Sequence, residues 1–387
     1  MDFAFNEEQR ILQESAQAFC AEHSDSERVR RAMASDAGYD AESWRTLRDE
    51  MGWSGIAIPE QYGGLGLGQI EIGIVQTEMG RTLFSSPFFA SSCLAAPAIL
   101  HAGTEAQRAR WLPGIAAGEL IATLAVTGSR GRAGNAGIEA TLARTANGYR
   151  LNGNAAFVVL GHSADLLVIA ARGEDDAAAI SLVALPRDTA GIHVEKQLAL
   201  DLTRPYAALR FDDVAVAEDD LLGGYGNSAA ALSRALALGN IALAAEQCGG
   251  AERCLAFSVE YAKQREQFGR PIGSFQAIKH KLADMMTLVE AAKSAVYYAT
   301  CTVDEEPEQL FEAAAVAKSF CADAFFQCAG MAIQVHGGIG YTWEHDAQLY
   351  FKRARASLNL LGDVRHQREQ LATQLFSGDI ALLARSH

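Results

Sequence analysis

Residues 265–276 read Arg-Glu-Gln-Phe-Gly-Arg-Pro-Ile-Gly-Ser-Phe-Gln. Arg265 is an always-charged planar fork suited to a pyrophosphate. Phe268 offers an aromatic face, and Gln267 and Gln276 offer amides that can meet ring or ribose edges. Just downstream, Ile278, Leu282, Met285, Val289 and Val296 step by 4, 3, 4 and 7, a single apolar stripe along a helix. Farther on, residues 334–341 read Gln-Val-His-Gly-Gly-Ile-Gly-Tyr. Gly337 and Gly338 allow the backbone to come close to a ligand, and their N–H groups can face phosphate oxygens. Several striped helices predict a bundle and a large helix-mediated oligomer surface over the last third of the chain.

Upstream the character changes. Gly223-Gly224-Tyr225-Gly226 reads as a hinge or linker. Between about 120 and 222, Asn147-Gly148 and Asn152-Gly153 predict hairpin-type turns. The runs Leu166–Ala171, Ile180–Leu185 and Leu209–Val216 predict strands. Residues 1–119 read as helical, with Asn6 capping a first helix, Glu7 and Glu8 in its first turn, and a loop at Gly63–Gly68. The expected fold is therefore α+β, mainly α. An N-terminal helical domain (1–119) is followed by a middle antiparallel β domain (120–222) and a C-terminal four-helix-bundle domain (223–387). Strands and helices do not alternate, no Gly-x-Gly-x-x-Gly links a strand to a helix, and no Walker loop is present, which argues against a Rossmann or P-loop fold.

Composition narrows the function. Of 387 residues, 49% are hydrophobic and 21% charged, enough to bury a large core. Lys and Arg number 33 against 47 Asp and Glu, a net charge of −14, which argues against nucleic acid as partner. No apolar run reaches the roughly 18 residues of a membrane span. The acidic N-terminus is unlike a signal peptide. Seven cysteines, with no Cys-x-x-Cys, suggest neither a disulfide framework nor a zinc site, and a reducing cytoplasm fits them best.

Four segments, in order and spread over essentially the whole chain, resemble the acyl-CoA dehydrogenase family. They are Ile58–Gly66 (Ile-Pro-Glu-Gln-Tyr-Gly-Gly-Leu-Gly), Gly103–Glu119, Arg265–Gln276 and Gln334–Tyr341. The resemblance implies FAD as cofactor and an acyl-CoA thioester as substrate. In such enzymes a carboxylate removes the α-proton while the β-hydrogen leaves as hydride to flavin N5. It also implies a homo- or hetero-tetramer, with an electron-transfer flavoprotein as electron acceptor. Arg265, Gln267, Phe268, Gln276, Gln334, Gly337 and Gly338 would reach across a subunit boundary to the adenosine and pyrophosphate of FAD, and Thr127 would lie near the flavin. His336 is read as positional, and His345 and Asp346 as cap or surface groups.

The departures are as informative. Where the largest branch of the family has a catalytic Glu, this chain has Leu361 in Leu360-Leu361-Gly362-Asp363. The alternative base position, counted back from Arg265, falls on Gly239, beside Asn240. Glu246, two helical turns beyond Gly239 in an apolar stretch, is the candidate base; a carboxylate buried there would have a raised pKa, which suits a base working near neutrality. The alternative for Glu246 is a structural carboxylate paired with a cation, and Asp363 is a weaker candidate base.

In the sheet region the family's Thr-Glu-Pro and glycine-serine loop is replaced by Thr127-Gly128-Ser129-Arg130-Gly131-Arg132-Ala133-Gly134, which keeps only Thr127. Phe157 stands where a Trp is usual, and Val159 brings no hydroxyl, leaving the backbone N–H of Val159 or Leu160 to meet the flavin. Arg130 and Arg132 could meet CoA phosphates or be solvated. One half of a flavin site is thus kept and the other altered. That pattern suits an acyl-CoA dehydrogenase subunit. The alternative is a non-catalytic partner in a heterotetramer that completes the FAD site of another chain. Phe157–Asp165 and Gly340–Asp346 resemble the heteromeric branch that degrades sterols and bile acids.

Overall fold

A computed structural model describes residues 4–384. The chain forms two compact units. The first holds residues up to Cys20, Gly73–Leu83 and Asn240 onward; the second holds Ala21–Ile72 and Phe84–Gly239.

Helix α1 (Glu7–His23) is capped as the sequence predicts. Asn6 Oδ1 accepts from the Gln9 N–H (2.8 Å), and Gln9 Oε1 accepts from the Asn6 N–H (3.1 Å), a reciprocal capping box. Helices α2 (Ser26–Ala34) and α3 (Ala41–Asp49) start on Asp25 and Asp40 caps. Helix α4 (Gln69–Thr82) follows the expected glycine-rich loop, and α5 (Ala96–Ala102) and α6 (Glu105–Ala116) lead to the sheet.

The second unit is built on seven strands: β1 (Ala122–Ala125), β2 (Thr141–Thr145), β3 (Gly148–Val159), β4 (Leu166–Gly173), β5 (Ile180–Pro186), β6 (Ile192–Gln197) and β7 (Tyr206–Val216). Their order is β1-β4-β2-β3-β7-β6, with β5 on β4. Pairing is antiparallel except for β1 with β4 and β2 with β4, which run parallel. Leu142, Leu151, Leu167, Ile169 and Phe211 are among the side chains of the buried core.

Asn147-Gly148 closes the β2–β3 hairpin, with Thr145 opposite Gly148. Asn152-Gly153 is not a turn. It lies inside β3, where the register against β7 skips between Leu151 and Gly153. Gly153 adopts φ +111°, and Asn152 Oδ1 accepts from the Asp213 N–H across the bulge (2.8 Å). Gly223–Gly226 is likewise no loose linker. Leu221 and Asn227 bridge to Val183 and Ile180 on β5, and Tyr225 stacks on Tyr149 at 5.4 Å.

Helix α7 (Ala229–Gln264) opens the C-terminal series. A two-residue-strand hairpin, β8 (Glu266–Gln267) with β9 (Arg270–Pro271), joins it to α8 (Gln276–Glu305). Helices α9 (Leu310–His336), α10 (Ala347–Asn359) and α11 (Val364–Ala384) complete the chain. On α8, Met285, Val289 and Val296 of the predicted stripe are buried, while Ile278 and Leu282 are half-buried. Within the first unit α4 and α7 cross backbone to backbone. A Cβ on Gly249 would lie 1.8 Å from the Thr77 carbonyl oxygen, and one on Gly80 would lie 2.0 Å from that of Glu246. Gly249→Ala must push the helices apart, and chemical denaturation should record a loss of about 1–3 kcal/mol. An unchanged midpoint would contradict this crossing.

Candidate functional site

The last turn of α7 delivers Arg265 to the start of the β8–β9 hairpin. The Arg265 N–H donates to Tyr261 O (2.8 Å), and Ile272 N–H donates back to Arg265 O (2.8 Å). Phe268 and Gly269 form the hairpin tip at φ +55° and +75°. A phenylalanine in the left-handed region costs of order 1–3 kcal/mol. Phe268 is also 93% exposed, a second cost, so its conformation serves the surface and not the core. Phe275 meets Phe268 edge-on at 6.1 Å, and the Arg270 guanidinium lies 4.2 Å over the Phe275 ring, holding the hairpin's shape. The side chains of Arg265, Gln267 and Gln276 are exposed.

The second motif abuts the first. Helix α9 ends at His336, and Gly337 follows at φ +63°, ψ −137°, a conformation that favours glycine. No atom lies within 4 Å of a Cβ placed on Gly337 or Gly338, so this backbone faces open space beside exposed Gln334. His336 is buried beneath the turn. Its ring stacks on Tyr261 at 4.3 Å, its Nδ1 lies 2.7 Å from Ala332 O, and burial holds its pKa below the usual histidine value. The Tyr261 hydroxyl donates to His336 O (3.4 Å). Tyr261 thus ties the glycine turn to α7 one turn before Arg265. His345 Nδ1 accepts from the Ala347 N–H (3.0 Å) and caps α10. The resulting surface carries a cationic fork, a solvent-facing ring, three amides and an open glycine backbone, with the Gly337 N–H itself donating to Ile333 O. That donor set is complementary to the adenosine and pyrophosphate of a dinucleotide.

Of the two readings of Glu246, the geometry shows the carboxylate paired with a cation. Glu246 is buried, 4% exposed, but Arg353 of α10 reaches it, Nη1 to Oε1 at 2.9 Å, and Arg353 is itself 2% exposed. One residue on, Gln247 Nε2 donates to Ser357 O (3.1 Å) and lies 3.2 Å from Ser357 Oγ. To take a proton, Glu246 would have to give up a buried ion pair with Arg353. The end of α10 and the turn after it are firmly held: buried Lys318 donates to Ser357 O and Leu358 O in the last turn of α10 (3.1 and 3.3 Å), and Gln367 Nε2 donates to Leu361 O just beyond it (3.1 Å). At its apex stands Leu361, at φ +58°, with no ionisable group. Asp363 Oδ1 accepts from the His366 N–H (2.7 Å) as a cap of α11.

In the second unit, Thr127 and Phe157 come together, with Ala156 N–H donating to Thr127 O (2.7 Å). Phe157 is 45% exposed at φ +56° and lies against the glycine-rich loop near Gly131. Of the two backbone donors considered for the flavin, the Leu160 N–H is already spent on Pro205 O (3.0 Å). Val159 is buried within the β3–β7 pairing, opposite Tyr206.

The family model for the acyl-CoA dehydrogenase N-terminal domain matches residues 6–119, and that for the acyl-CoA dehydrogenase C-terminal domain matches residues 228–376. The acyl-CoA dehydrogenase IpdE2 of Mycolicibacterium smegmatis is 34% identical over 371 residues, covering 96% of this chain and 100% of that one. Among solved structures, the ChsE4–ChsE5 complex from Mycobacterium tuberculosis superposes with a TM-score of 0.88 at 28% identity, covering 97% of this chain and 99% of that one. A variant of the Tcur3481–Tcur3483 steroid ACAD does so with a TM-score of 0.86 at 30% identity, again covering 97% and 99%. The chain belongs to the acyl-CoA dehydrogenase family. Among the described residues no helix is long and apolar enough to cross a membrane.

Proposed function

We propose that this chain is a subunit of an FAD-dependent acyl-CoA dehydrogenase that introduces an α,β double bond into a steroid-type CoA thioester. It works in a tetramer with a non-identical homologous chain and completes that chain's flavin site. One observation carries the reading: the exposed residues Arg265, Gln267, Phe268, Gln276 and Gln334 and the open glycine backbone at Gly337–Gly338 coexist with base positions at Gly239 and Leu361 that hold no carboxylate. The heteromeric and steroid character rests on likeness to the two complexes above.

FAD, when bound, supplies the hydride acceptor. Arg265 would hold the diphosphate, Phe268 would stack on the adenine, Gln267, Gln276 and Gln334 would meet ribose and ring edges, and the open backbone at Gly337 and Gly338 would let phosphate oxygens approach. Removing the α-proton needs a positioned carboxylate. Leu361 and Gly239 provide none and Glu246 is held by Arg353, so the partner chain supplies it. An electron-transfer flavoprotein takes the electrons onward.

The test is dehydrogenation of a steroid-type CoA ester by this chain, by a co-encoded homologue, and by the two together. Turnover is expected only from the pair, and Glu246→Gln in the pair should keep kcat within a few-fold. A Glu246→Gln pair that keeps its flavin and fold yet loses turnover makes Glu246 the base and overturns this reading.

A further inference from the structure

The connection from α9 to α10, Gly337–Asp346, faces solvent over much of its length, with Ile339, Tyr341 and Trp343 42%, 74% and 62% exposed. Two histidines fasten its ends. His336 is the last residue of α9, and His345 lies just before the first residue of α10, Ala347. Their ring centroids are 4.4 Å apart and the rings are tilted by 48°. Phe257 of α7 meets both edge-on, His336 at 5.3 Å and His345 at 5.9 Å, and Tyr261 stacks on His336. A Cβ on Gly340 would lie 3.2 Å from His336 Cβ, so the glycine lets the connection fold down onto this histidine. A segment with little burial of its own depends on such fastenings.

Each ring is held in one neutral form. The Ala332 carbonyl can only accept, so His336 Nδ1 carries the proton and Nε2 is the bare nitrogen. His345 is the reverse: Nδ1 accepts from the Ala347 N–H, so its proton sits on Nε2. A further proton on His345 must go to Nδ1, where it meets an N–H and cancels the cap of α10. A further proton on His336 puts charge into a buried site. Burial is the largest influence on its pKa and lowers it; the Ala332 carbonyl opposes this and His345 adds to it. Both protons together place like charges side by side. Stacking on Tyr261 favours an imidazolium at His336, but it neither restores the cap nor relieves that repulsion. The surroundings do not hold the charge either. Arg253 of α7 and Asp346 act on Tyr350 with opposite sign, and burial keeps the Tyr350 hydroxyl protonated. Arg81 of α4 meets Tyr350 through its carbonyl, with its guanidinium taken by Glu78 and Glu252, and Glu344, beside His345 in sequence, is exposed.

We propose that the His336–His345 pair is an acid-operated latch: proton uptake by the two rings releases the Gly337–Asp346 connection and, with it, the glycine turn. In the closed form both rings are neutral; in the open form both are ordinary hydrated histidines. The open form therefore binds more protons, and the closed form loses ground as pH falls through about 6.5. Each proton taken up multiplies the opening equilibrium by about ten per pH unit below that value, so two give up to about a hundredfold at about pH 5.5. That the latch governs flavin retention rests on the proposed function; that it opens in acid does not.

Hydrogen exchange of the peptide spanning Gln334–Tyr350 in the full chain, at about pH 7.5 and about pH 5.5 and corrected for intrinsic exchange, reads the latch directly. His345→Asn keeps an acceptor for the Ala347 N–H but takes no proton, and His336→Phe keeps a ring on Tyr261. Wild type is expected to open about tenfold or more at the lower pH, and the double variant to change less than about twofold. A wild type that changes less than twofold, or a double variant that keeps the wild-type response, overturns the inference. Should the double variant stand open already at the higher pH, His345→Asn alone decides: an acid response cut severalfold supports the latch, and one equal to wild type overturns it. Flavin absorbance of the assembly with its partner, followed over the same pH step, is the second reading. Release from wild type and retention by the double variant carry the latch to the nucleotide. An assembly that opens in acid yet keeps all its flavin removes the glycine turn from the flavin site, and one that opens but holds no flavin at either pH refutes the proposed function and leaves the latch standing.

Discussion

Arg265→Ala is expected to leave the assembly folded and nearly colourless. The arginine is exposed and makes no side-chain contact that the fold needs, so its loss should change stability by no more than about 0.5 kcal/mol. A charge-assisted hydrogen bond to a diphosphate is worth about 1.5–3 kcal/mol, so flavin affinity should fall by roughly 10- to 100-fold. Adding Phe268→Ala removes a base-stacking face worth about 1–3 kcal/mol more. Alanine keeps the Cβ and hence the strain at φ +55°, but the lost ring is exposed, so the double variant should fold about as well. Gel filtration followed by flavin absorbance per polypeptide reads the result. A double variant that stays fully yellow would remove these residues from the flavin site.

Arg353→Ala is the second large effect, on stability instead of flavin. It removes the guanidinium from the buried Glu246 carboxylate between α7 and α10, and breaking one side of a buried pair costs about 3–5 kcal/mol. Replacing both partners, as Glu246→Leu with Arg353→Met, should recover most of that loss, because the desolvation of both charges disappears with them. Denaturant midpoints of the single and double variants decide it. A single variant as stable as wild type would show that the pair does not hold the two helices.

The helical periods, the Asn6 cap, the Asn147-Gly148 hairpin and the β4, β5 and β7 runs were legible because each is a local pattern. Asn152-Gly153 misled for a physical reason. The dipeptide has turn chemistry, but β2 and β7 flank it on both sides, and the ladder absorbs it as a bulge. Strand β1 is four buried residues with no alternation to detect, and β6 interrupts its half-buried pattern with exposed polar residues. Gly223–Gly226 looked like a hinge because the β5 bridges that fasten it lie about 40 residues upstream. The Arg265–Gln276 and Gln334–Tyr341 stretches were readable in sequence because each is contiguous; the tie between α7 and the glycine turn through Tyr261 and His336 was not. The cation that pairs with Glu246 could not be named from sequence because Arg353 lies 107 residues away.

The visible spectrum of the purified chain, alone and with its co-encoded homologue, bears most directly on the central claim. A chain that lends its nucleotide-gripping face to another's flavin should be colourless alone, even after FAD is added, and yellow in the pair, with one flavin for each two unlike chains. A solitary chain that purifies yellow with one flavin per polypeptide would contradict it.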